Sequence, residues 1–212
     1  MESTFIFVDL AGFSALTEAH GDNAAADLVE GFTALVDTVL CGDGERVRTI
    51  GDAVFLVAPR PAAALHLLER IWERARHQES FPVLRAGLHH GEAVRRGSDY
   101  FGMGVNVAAR VTALAAGGQV LATRAVADVA RAEGRSVTAL GTVELKNLSG
   151  RVDLYSIELG SALAAEAVDP VCRMRVRQSK AAAHVRVDDH DYYFCSVECA
   201  ASFLAKTGVP SP

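Results

Sequence analysis

The sequence predicts an α+β fold of the ferredoxin-like kind, with βαββαβ order, followed by a small cysteine-containing α+β module. Apolar runs with β character alternate with stretches of helical period along residues 1–160. The Gly-Asp pair at residues 51–52 separates two of these runs and predicts a tight hairpin. From residue 169 the composition changes, and three of the four cysteines fall in this last part of the chain.

The first predicted strand ends at a carboxylate. Residues 5–14 read FIFVDLAGFS, an apolar run that stops at Asp9 and continues into small residues. Open α/β sheets place chemistry where such strands end. Ala11, Gly12 and Ser14 allow a tight turn that aims backbone N–H groups toward the positive end of the next helix. A carboxylate beside such an anion cradle suggests a divalent cation that holds phosphates; the alternative is a helix-capping aspartate.

A second carboxylate lies in the predicted hairpin. Residues 46–57 read RVRTIGDAVFLV, which places Asp52 at the turn between two strands. From there Asp52 can face Asp9 on a neighbouring strand. Two converging carboxylates repel each other unless a cation lies between them, and oxygen ligands with open positions suit Mg²⁺ or Mn²⁺ bound with phosphates. The alternative is two unrelated turn aspartates.

The remaining elements follow from periodicity and from glycine and proline breaks. A break at residues 21–23 divides a helical region that begins at residue 14 and ends near residue 40, where Cys41 is predicted to be buried. A second long helix is predicted over residues 62–77, and residues 161–168 are predicted to be a linker. The other predictions are strands over 83–91, 119–122, 137–145 and 154–159 and a short helix over 125–133.

A third predicted long helix carries two polar side chains that suit ligand binding. Asn106 and Arg110 are four residues apart and therefore lie on one face, while Val107, Val111 and Leu114 lie on another. A guanidinium is a planar binder of phosphate. The helix could therefore present an amide and a cation to a ligand; the alternative is a solvated arginine and a capping asparagine.

Composition limits the functional class. The chain has 212 residues, half of them hydrophobic, and a net charge of −5, which argues against a general nucleic-acid binder or an anionic-membrane binder. No apolar run approaches the roughly 20 residues that span a bilayer, and no basic signal region precedes the first strand. A cytoplasmic location is the default expectation. In a reducing compartment the three C-terminal cysteines suggest metal or redox chemistry rather than a disulfide framework.

Residues 1 to about 160 resemble the class III nucleotide cyclase catalytic domain. The resemblance rests on four motifs in the same order as in that family, namely FVDLAGFS at 7–14, RTIGD at 48–52, DYFG at 99–102 running into VNVAAR at 105–110, and ELK at 144–146. It implies a cyclase sandwich fold.

The resemblance also implies roles for individual residues. Asp9 and Asp52 match the family's two metal-binding carboxylates, which hold two Mg²⁺ or Mn²⁺ ions on the triphosphate. Asn106 matches the residue that orients the ribose, and Arg110 matches the cation that offsets charge on the phosphates. The turn at 11–14, formed by Ala11, Gly12, Phe13 and Ser14, matches the substrate-binding turn.

Base selection and assembly follow from the same resemblance. Asp99 matches the acidic residue that selects adenine in adenylate cyclases, whereas Arg48 replaces the family's base-selecting lysine. The implied reaction converts ATP to cyclic AMP and pyrophosphate; a guanylate cyclase or a weak or inactive cyclase-like binding protein is the alternative that Arg48 leaves open. Each family site forms between two chains. Because this chain has both halves, a head-to-tail homodimer with ATP or GTP as substrate is implied.

Residues 169–212 resemble a YHS domain, a small module related to the TRASH metal-sensing type. The matching residues are DPVC at 169–172, then Met174, Val176, YYFCS at 192–196, Cys199 and Phe203. Cys195 and Cys199 are one helical turn apart, so both thiols lie on one side, and Cys172 would join them from a preceding hairpin or loop. Three thiolates suit Zn²⁺ or Cu⁺, with His184 or His190 as candidates for a fourth ligand. The alternatives are a small core of buried cysteines without metal and a partner-docking module.

Overall fold

The computed structural model describes residues 1–148, 150–160 and 166–207. Its strands are β1 Glu2–Leu10, β2 Glu45–Ile50, β3 Ala53–Ala58, β4 Leu84–Glu92, β5 Val94–Arg96, β6 Asp99–Phe101, β7 Val120–Thr123, β8 Val137–Glu144, β9 Arg151–Ile157, β10 Glu166–Val168, β11 Arg175–Arg177, β12 Ala183–Val187 and β13 His190–Phe194. Its helices are α1 Phe13–Val39, α2 Pro61–Arg76, α3 Met103–Leu114, α4 Arg124–Ala132 and α5 Val197–Thr207, with a 3₁₀ turn at Gln178–Lys180.

A seven-stranded mixed sheet organises the catalytic part, the name given to residues 1–160 after the predicted catalytic domain. The strand order of this sheet is β2-β3-β1-β4-β7-β9-β8. Its first four strands are antiparallel neighbours and are joined in the chain by α1 and α2, which is the predicted βαββαβ arrangement. Strand β7 extends the sheet in parallel with β4 after the crossover helix α3. The predicted α+β fold class is therefore confirmed.

Both faces of the sheet are covered, which is why β1 is apolar along nearly its whole length. Helices α1, α2 and α4 pack on one face around the alternate side chains Ile6, Val8 and Leu10. On the other face, Phe5 and Phe7 pack with Phe55, with residues of α3 and with the β5–β6 hairpin. This packing fixes the end of β1, where Asp9 lies.

Helix α1 is divided by a glycine, as the predicted break at residues 21–23 requires. Gly21 has φ 84° and ψ 165°, values outside the helical region that a residue without Cβ adopts at low cost. Cys41, just beyond the helix end, is exposed, so the prediction that it is buried was wrong. At this point the chain passes from the helix into a surface loop, so the Cys41 thiol does not pack in the core.

The C-terminal module consists of two hairpins, β10–β11 and β12–β13, followed by α5. Three residues of the predicted linker, Glu166–Val168, form the first strand of this module because they pair with Arg175–Arg177. The rest of that linker, residues 161–165, and residues 208–212 lie outside the described part of the chain.

The module packs directly on the catalytic part. Its buried core, which includes Phe194 and Met174, is continuous with Leu16 and Ala25 of α1. The Arg175 backbone N–H donates to the Phe81 carbonyl at 3.1 Å, and Lys180 Nζ donates to Glu79 at 2.6 Å. The described chain has no helix with the length and apolarity that crossing a bilayer would demand.

Candidate functional site

Two carboxylates meet at the end of β1. Asp9 is the penultimate residue of this strand and is 6% exposed, and its register partner on β3 is Ala53, the residue after Asp52. The β2–β3 hairpin turns at Gly51-Asp52, which brings the Asp52 side chain into hydrogen-bonding contact with Asp9. The predicted convergence of these two side chains is therefore present in the fold.

The electrostatics of the pair show that the two carboxylates crowd each other. Burial, a hydrogen bond with Asp9 and repulsion by its charge raise the pKa of Asp52 to about 6, while Arg85 acts in the opposite direction. A proton shared between two acids is one way to relieve such crowding, and a bound cation is the other.

Arg85 is a member of this site that the sequence pattern did not reveal. Its Nε donates to Asp9 Oδ2 at 2.6 Å, its terminal nitrogen also contacts that oxygen, and a second terminal nitrogen donates to the Ala115 carbonyl. Arg85 lies opposite Asp9 in the β1–β4 register, so the strand pairing brings the two together. The available signal was a single cation among the apolar and small residues that begin β4, from Leu84 to Leu88.

The turn after Asp9 has the geometry of a tight crossover into a helix. Gly12 caps α1 in the left-handed conformation with φ 77°, and the Ala11 N–H donates to the Val83 carbonyl at 2.9 Å. Gly12 and Ser14 are exposed, whereas Ala11 is buried. The first-turn N–H groups of the 27-residue helix α1 therefore lie beside the carboxylate pair.

The two predicted base-selecting residues contact each other. The Arg48 guanidinium forms an ion pair with the Asp99 carboxylate, and it also lies over the Phe55 ring, 5.6 Å from the ring centroid. The other Asp99 oxygen accepts the Tyr100 backbone N–H at 2.8 Å. The pair is partly exposed, so its outer edges stay available to a ligand.

Asn106 and Arg110 lie on one exposed stripe of α3, as their spacing predicted. The stripe begins at Met103, which is 59% exposed, and ends at Leu114, which is 50% exposed. Among the described residues, no hydrogen bond or ion pair holds either polar side chain. The structure does not bring them into contact with Asp9 and Asp52 within one chain.

A second cluster of ligand-type side chains joins the C-terminal module to the catalytic part. Cys172 Sγ lies 3.4 Å from Cys195 Sγ, which lies 3.8 Å from Cys199 Sγ. His20 Nε2 of α1 lies 3.5 Å from Cys195 Sγ and 3.9 Å from Cys199 Sγ. The four ligand atoms all lie within 4.8 Å of one another.

The protonation of the three thiols is strongly interdependent. A hydrogen bond with Cys195 lowers the pKa of Cys172 to about 6, although burial opposes this. The pKa of Cys195 is raised well above its ordinary value by that same bond and by burial, and burial raises the pKa of Cys199 to about 11.

The fourth member of the cluster is not a histidine of the module, so both predicted candidates were wrong. His184 contacts Asp191 at 2.8 Å and stacks on the Tyr193 ring, and His190 contacts the Asp188 carbonyl at 2.8 Å. Both lie on the exposed β12–β13 hairpin, whose pairing directs them away from the thiols. His20 was missed because it is more than 150 residues away from the nearest of the three cysteines.

The catalytic part matches the model of the adenylate and guanylate cyclase catalytic domain over residues 2–159. The chain belongs to this cyclase family. The family match covers the carboxylate pair, the turn, the Arg48–Asp99 pair and the α3 stripe, but it ends before the cysteine module. The expected class III cyclase resemblance is therefore confirmed for the first part of the chain.

Several curated relatives of this cyclase family are adenylate cyclases. The chain is 35% identical over 162 residues to the pH-sensitive adenylate cyclase of Mycobacterium tuberculosis, a match that covers 74% of this chain and 41% of that protein. It is 36% identical over 123 residues to an adenylate cyclase of Streptomyces coelicolor, covering 58% of this chain and 32% of the relative. The chain thus spans less than half the length of these relatives.

Solved cyclase structures share the fold. An adenylate cyclase from Trypanosoma brucei in its monomeric state superposes with a TM-score of 0.66 at 24% identity, covering 76% of this chain and 91% of that chain. The adenylyl cyclase CyaB from P. aeruginosa superposes with a TM-score of 0.62 at 18% identity, covering 77% and 95% of the two chains. At these identities the likeness concerns the fold of the cyclase domain.

Proposed function

We propose that this chain is an adenylate cyclase that converts ATP to cyclic AMP and pyrophosphate. The observation that carries the proposal is the convergence of Asp9 and Asp52 at the strand ends, beside the turn that starts α1. Oxygen donors, an anion-binding helix start and the cation Arg85 form the set of groups that a nucleoside triphosphate requires. Membership of the cyclase family supports the same reaction.

The carboxylate pair fits Mg²⁺ or Mn²⁺. Both donors are oxygens, and burial together with the neighbouring Asp9 raises the pKa of Asp52, an effect that a bound cation would oppose. Two such ions, when bound, supply Lewis acidity that lowers the pKa of the ribose 3′-hydroxyl and neutralises the triphosphate. Asp9 and Asp52 would hold them. Arg85, which contacts Asp9 at the same strand end, would be close enough to contribute a positive charge to the phosphates.

The side chains of the protein position the reacting groups. In the reaction, the ribose 3′-oxygen forms a bond to the α-phosphorus, the bond to the β-phosphate oxygen breaks, and the hydroxyl proton leaves to water. We assign Asn106 to orienting the ribose and Arg110 to the charge that develops on the phosphates. The backbone of residues 11–14, from Ala11 to Ser14, would hold the outgoing pyrophosphate through N–H groups.

A head-to-tail homodimer is part of the proposal. The α3 stripe places Asn106 and Arg110 between two exposed apolar side chains, Met103 and Leu114, and neither polar group has a described partner within the chain. Exposed apolar residues that flank unpaired polar groups are typical of an interface. In such a dimer, Asp9 and Asp52 of one chain would face the α3 stripe of the other.

ATP is the substrate that the base-selecting pair favours. A carboxylate can accept a hydrogen bond from the adenine amino group, and Asp99 is held in place by Arg48 and by the Tyr100 N–H. Arg48 retains N–H groups that can donate to a ring nitrogen. A guanylate cyclase and a binding protein without turnover are the alternatives.

The C-terminal module is proposed to be a YHS-like metal-binding domain. Its three cysteine sulfurs lie within contact distance of one another, and none is joined in a disulfide. Three sulfur donors suit Zn²⁺ or Cu⁺. A cytoplasmic location would supply both ATP and the reducing conditions that keep these thiols free.

The test is to incubate the purified chain with Mg²⁺ or Mn²⁺ and either ATP or GTP, and to identify the product by mass. We expect cyclic AMP with equimolar pyrophosphate, and little cyclic GMP. Cyclic GMP alone would assign a guanylate cyclase. Absence of product from a folded dimer that still binds nucleotide would overturn the enzymatic proposal.

A further inference from the structure

We infer that His20 of the cyclase domain completes a four-coordinate zinc site with Cys172, Cys195 and Cys199. One ion would then join the C-terminal module to the catalytic turn, the name given to residues 11–14. The inference rests on the proposal that the module's cysteines bind metal, and it adds a ligand from the other domain. Neither the family match nor the module resemblance includes such a site, because the four ligands belong to two different units.

The ligand spacing fits a tetrahedral zinc ion. With Zn–S of about 2.3 Å and Zn–N of about 2.05 Å, a regular tetrahedron has S···S edges of about 3.8 Å and S···N edges of about 3.6 Å. Four of the six separations match these edges: two S···S separations are 3.4 and 3.8 Å, and two S···N separations from His20 are 3.5 and 3.9 Å. The other two, from Cys172 to Cys199 and to His20, are within 4.8 Å, so the four donors already surround a space of the size that the ion requires.

The donor set favours zinc over copper. Three thiolates and one imidazole form one of the common closed zinc sets, and a closed set is typical of a structural ion. Cys172 and Cys199 are almost completely buried, at 0% and 1% exposure. Cys195 and His20 are half-buried. A site in which protein side chains fill all four positions stabilises a fold rather than activating water.

His20 is held at the cluster by packing as well as by its sequence position. It lies on the first segment of α1, before Gly21, and Leu16 on the same segment is buried in the core of the module. The module core also contains Phe194, which immediately precedes Cys195. The hydrophobic contact therefore sets the distance between the imidazole and the thiols before any ion arrives.

Arg173, the residue that follows the ligand Cys172 in the chain, contacts the catalytic turn. The Arg173 side chain lies over Gly12, and a Cβ added at Gly12 would clash with Arg173 Cγ. The Arg173 carbonyl accepts the Val83 N–H at 3.2 Å, and the Val83 carbonyl in turn accepts the Ala11 N–H. A zinc ion bound to Cys172 and His20 would therefore hold both ends of the turn, through Arg173 and through the first segment of α1.

The functional consequence is that zinc supports catalysis. The turn supplies backbone N–H groups to the phosphates, and such groups work best when they are held in place before the reaction. Zinc occupancy would fix the turn, and zinc loss would loosen it. We therefore expect the zinc-loaded cyclase to have a higher kcat than the zinc-free form.

The decisive variant is His20→Ala in the full chain, with His184→Ala as the matched control because His184 is a module histidine that pairs with Asp191 outside the cluster. Zinc content and affinity are measured by elemental analysis and by competition with a chromogenic chelator. Removing one ligand is expected to weaken zinc binding by at least about 100-fold, since even the loss of outer-shell partners costs 10–100-fold. His184→Ala should bind zinc as the wild type does.

Cobalt substitution reads the donor set directly. Co²⁺ in the wild-type chain should give the visible absorption of a tetrahedral site with three sulfurs and one nitrogen, and His20→Ala should change that spectrum. Equal zinc affinity and an unchanged cobalt spectrum in His20→Ala would overturn the two-domain site while leaving metal binding by the cysteines intact. Absence of zinc or cobalt in the wild type would overturn both.

Amide hydrogen exchange tests the coupling without depending on turnover. Zinc is expected to slow exchange in residues 11–20 of the wild type and to leave it unchanged in His20→Ala. The cyclase assay, run in Mg²⁺ on zinc-loaded and zinc-free protein, should show a kcat several-fold lower without zinc. Exchange and kcat that do not respond to zinc, or a kcat that rises when zinc is removed, would contradict the coupling.

Discussion

The carboxylate pair and the thiol cluster are two groups of ligand-type side chains that balance their charge in different ways. Asp9 and Asp52 lie against the Arg85 guanidinium, which neutralises part of their charge without any metal. The thiol cluster lies beside the His20 imidazole and the buried Asp169 carboxylate, and burial together with neighbouring groups raises the pKa of Cys195 and of Cys199. In the proposed function the first site would therefore hold an exchangeable ion and the second a resident one.

The difference extends to how each site is built. The carboxylates come from β1 and from the turn between β2 and β3, strands of one sheet whose register places them together. The thiols and the imidazole come from a hairpin turn, from the start of α5 and from α1. Sheet pairing therefore maintains the first site, whereas the second depends on the docking of two units.

The largest expected effect is on turnover at the carboxylate pair. Asp52→Ala removes one of the two proposed metal ligands and should lower kcat by at least about 100-fold while the dimer stays folded. The matched control is Asp153→Ala, since Asp153 pairs with Arg124 at the surface of β9. Product formation is measured with Mg²⁺ and ATP. Near-normal activity in Asp52→Ala would remove this carboxylate from the mechanism.

The second effect is on the resident ion. The double variant with Cys195→Ser and Cys199→Ser should lose its bound metal, because serine hydroxyls are poor replacements for thiolates as zinc ligands. Cys41→Ser is the control, since the Cys41 thiol is exposed and distant from the cluster. Metal stoichiometry is measured on the purified chains. An unchanged stoichiometry in the double variant would refute the assignment of these ligands.

The third effect is on stability in the absence of metal. Arg85→Ala leaves the Asp9 and Asp52 carboxylates without their cation and should lower the free energy of unfolding by about 1–3 kcal/mol. Adding Mn²⁺ should restore part of the loss, because the ion replaces the missing charge. Arg95→Ala, which removes a surface contact to Glu45, should have little effect. The free energy of unfolding is measured in urea with and without Mn²⁺. An equal decrease in Arg85→Ala and Arg95→Ala would contradict the claim that Arg85 neutralises the carboxylate pair.

The smallest effect is on the pH dependence of the metal-free protein. The pKa of Asp52 is raised to about 6 in the folded state from an ordinary value of 3.8, so between these two pH values the folded chain holds a proton that the unfolded chain has lost. The free energy of unfolding should therefore fall as pH rises from about 4 to about 6. Asp52→Asn should show a smaller fall in urea midpoint across this range in chelator. If the wild type and Asp52→Asn had the same pH profile, the titration of Asp52 would not be the cause of the fall.

The sequence predicted most of the fold because the signals were local. The hairpin at Gly51-Asp52, the break at Gly21 and the apolar run of β1 each reflect a backbone or burial preference that a short segment expresses alone. The α3 spacing likewise placed Asn106 and Arg110 on one exposed face. These features needed no knowledge of distant contacts.

The missed residues depend on distant contacts. Arg85 joins the carboxylate site only through the β1–β4 register, and His20 joins the thiols only because the module docks on α1. Glu166–Val168 became a strand because a partner strand was available, although its short and small-residue sequence suggested a linker. Tertiary pairing decided each case, and no short-range pattern carries that information.

The glycine inside α1 turns that element into two rods joined by a hinge. His20 is the last residue of the first rod, which begins at the catalytic turn, while Phe32 and Val36 anchor the second rod in the hydrophobic core. A Cβ added at Gly21 would meet no atom within 4 Å other than those of its chain neighbours, so no other side chain packs against the joint at that point. The break at Gly21 therefore interrupts the straight path from His20 to the core residues of the second rod. An unbroken helix would transmit a displacement of His20 directly to Phe32 and Val36.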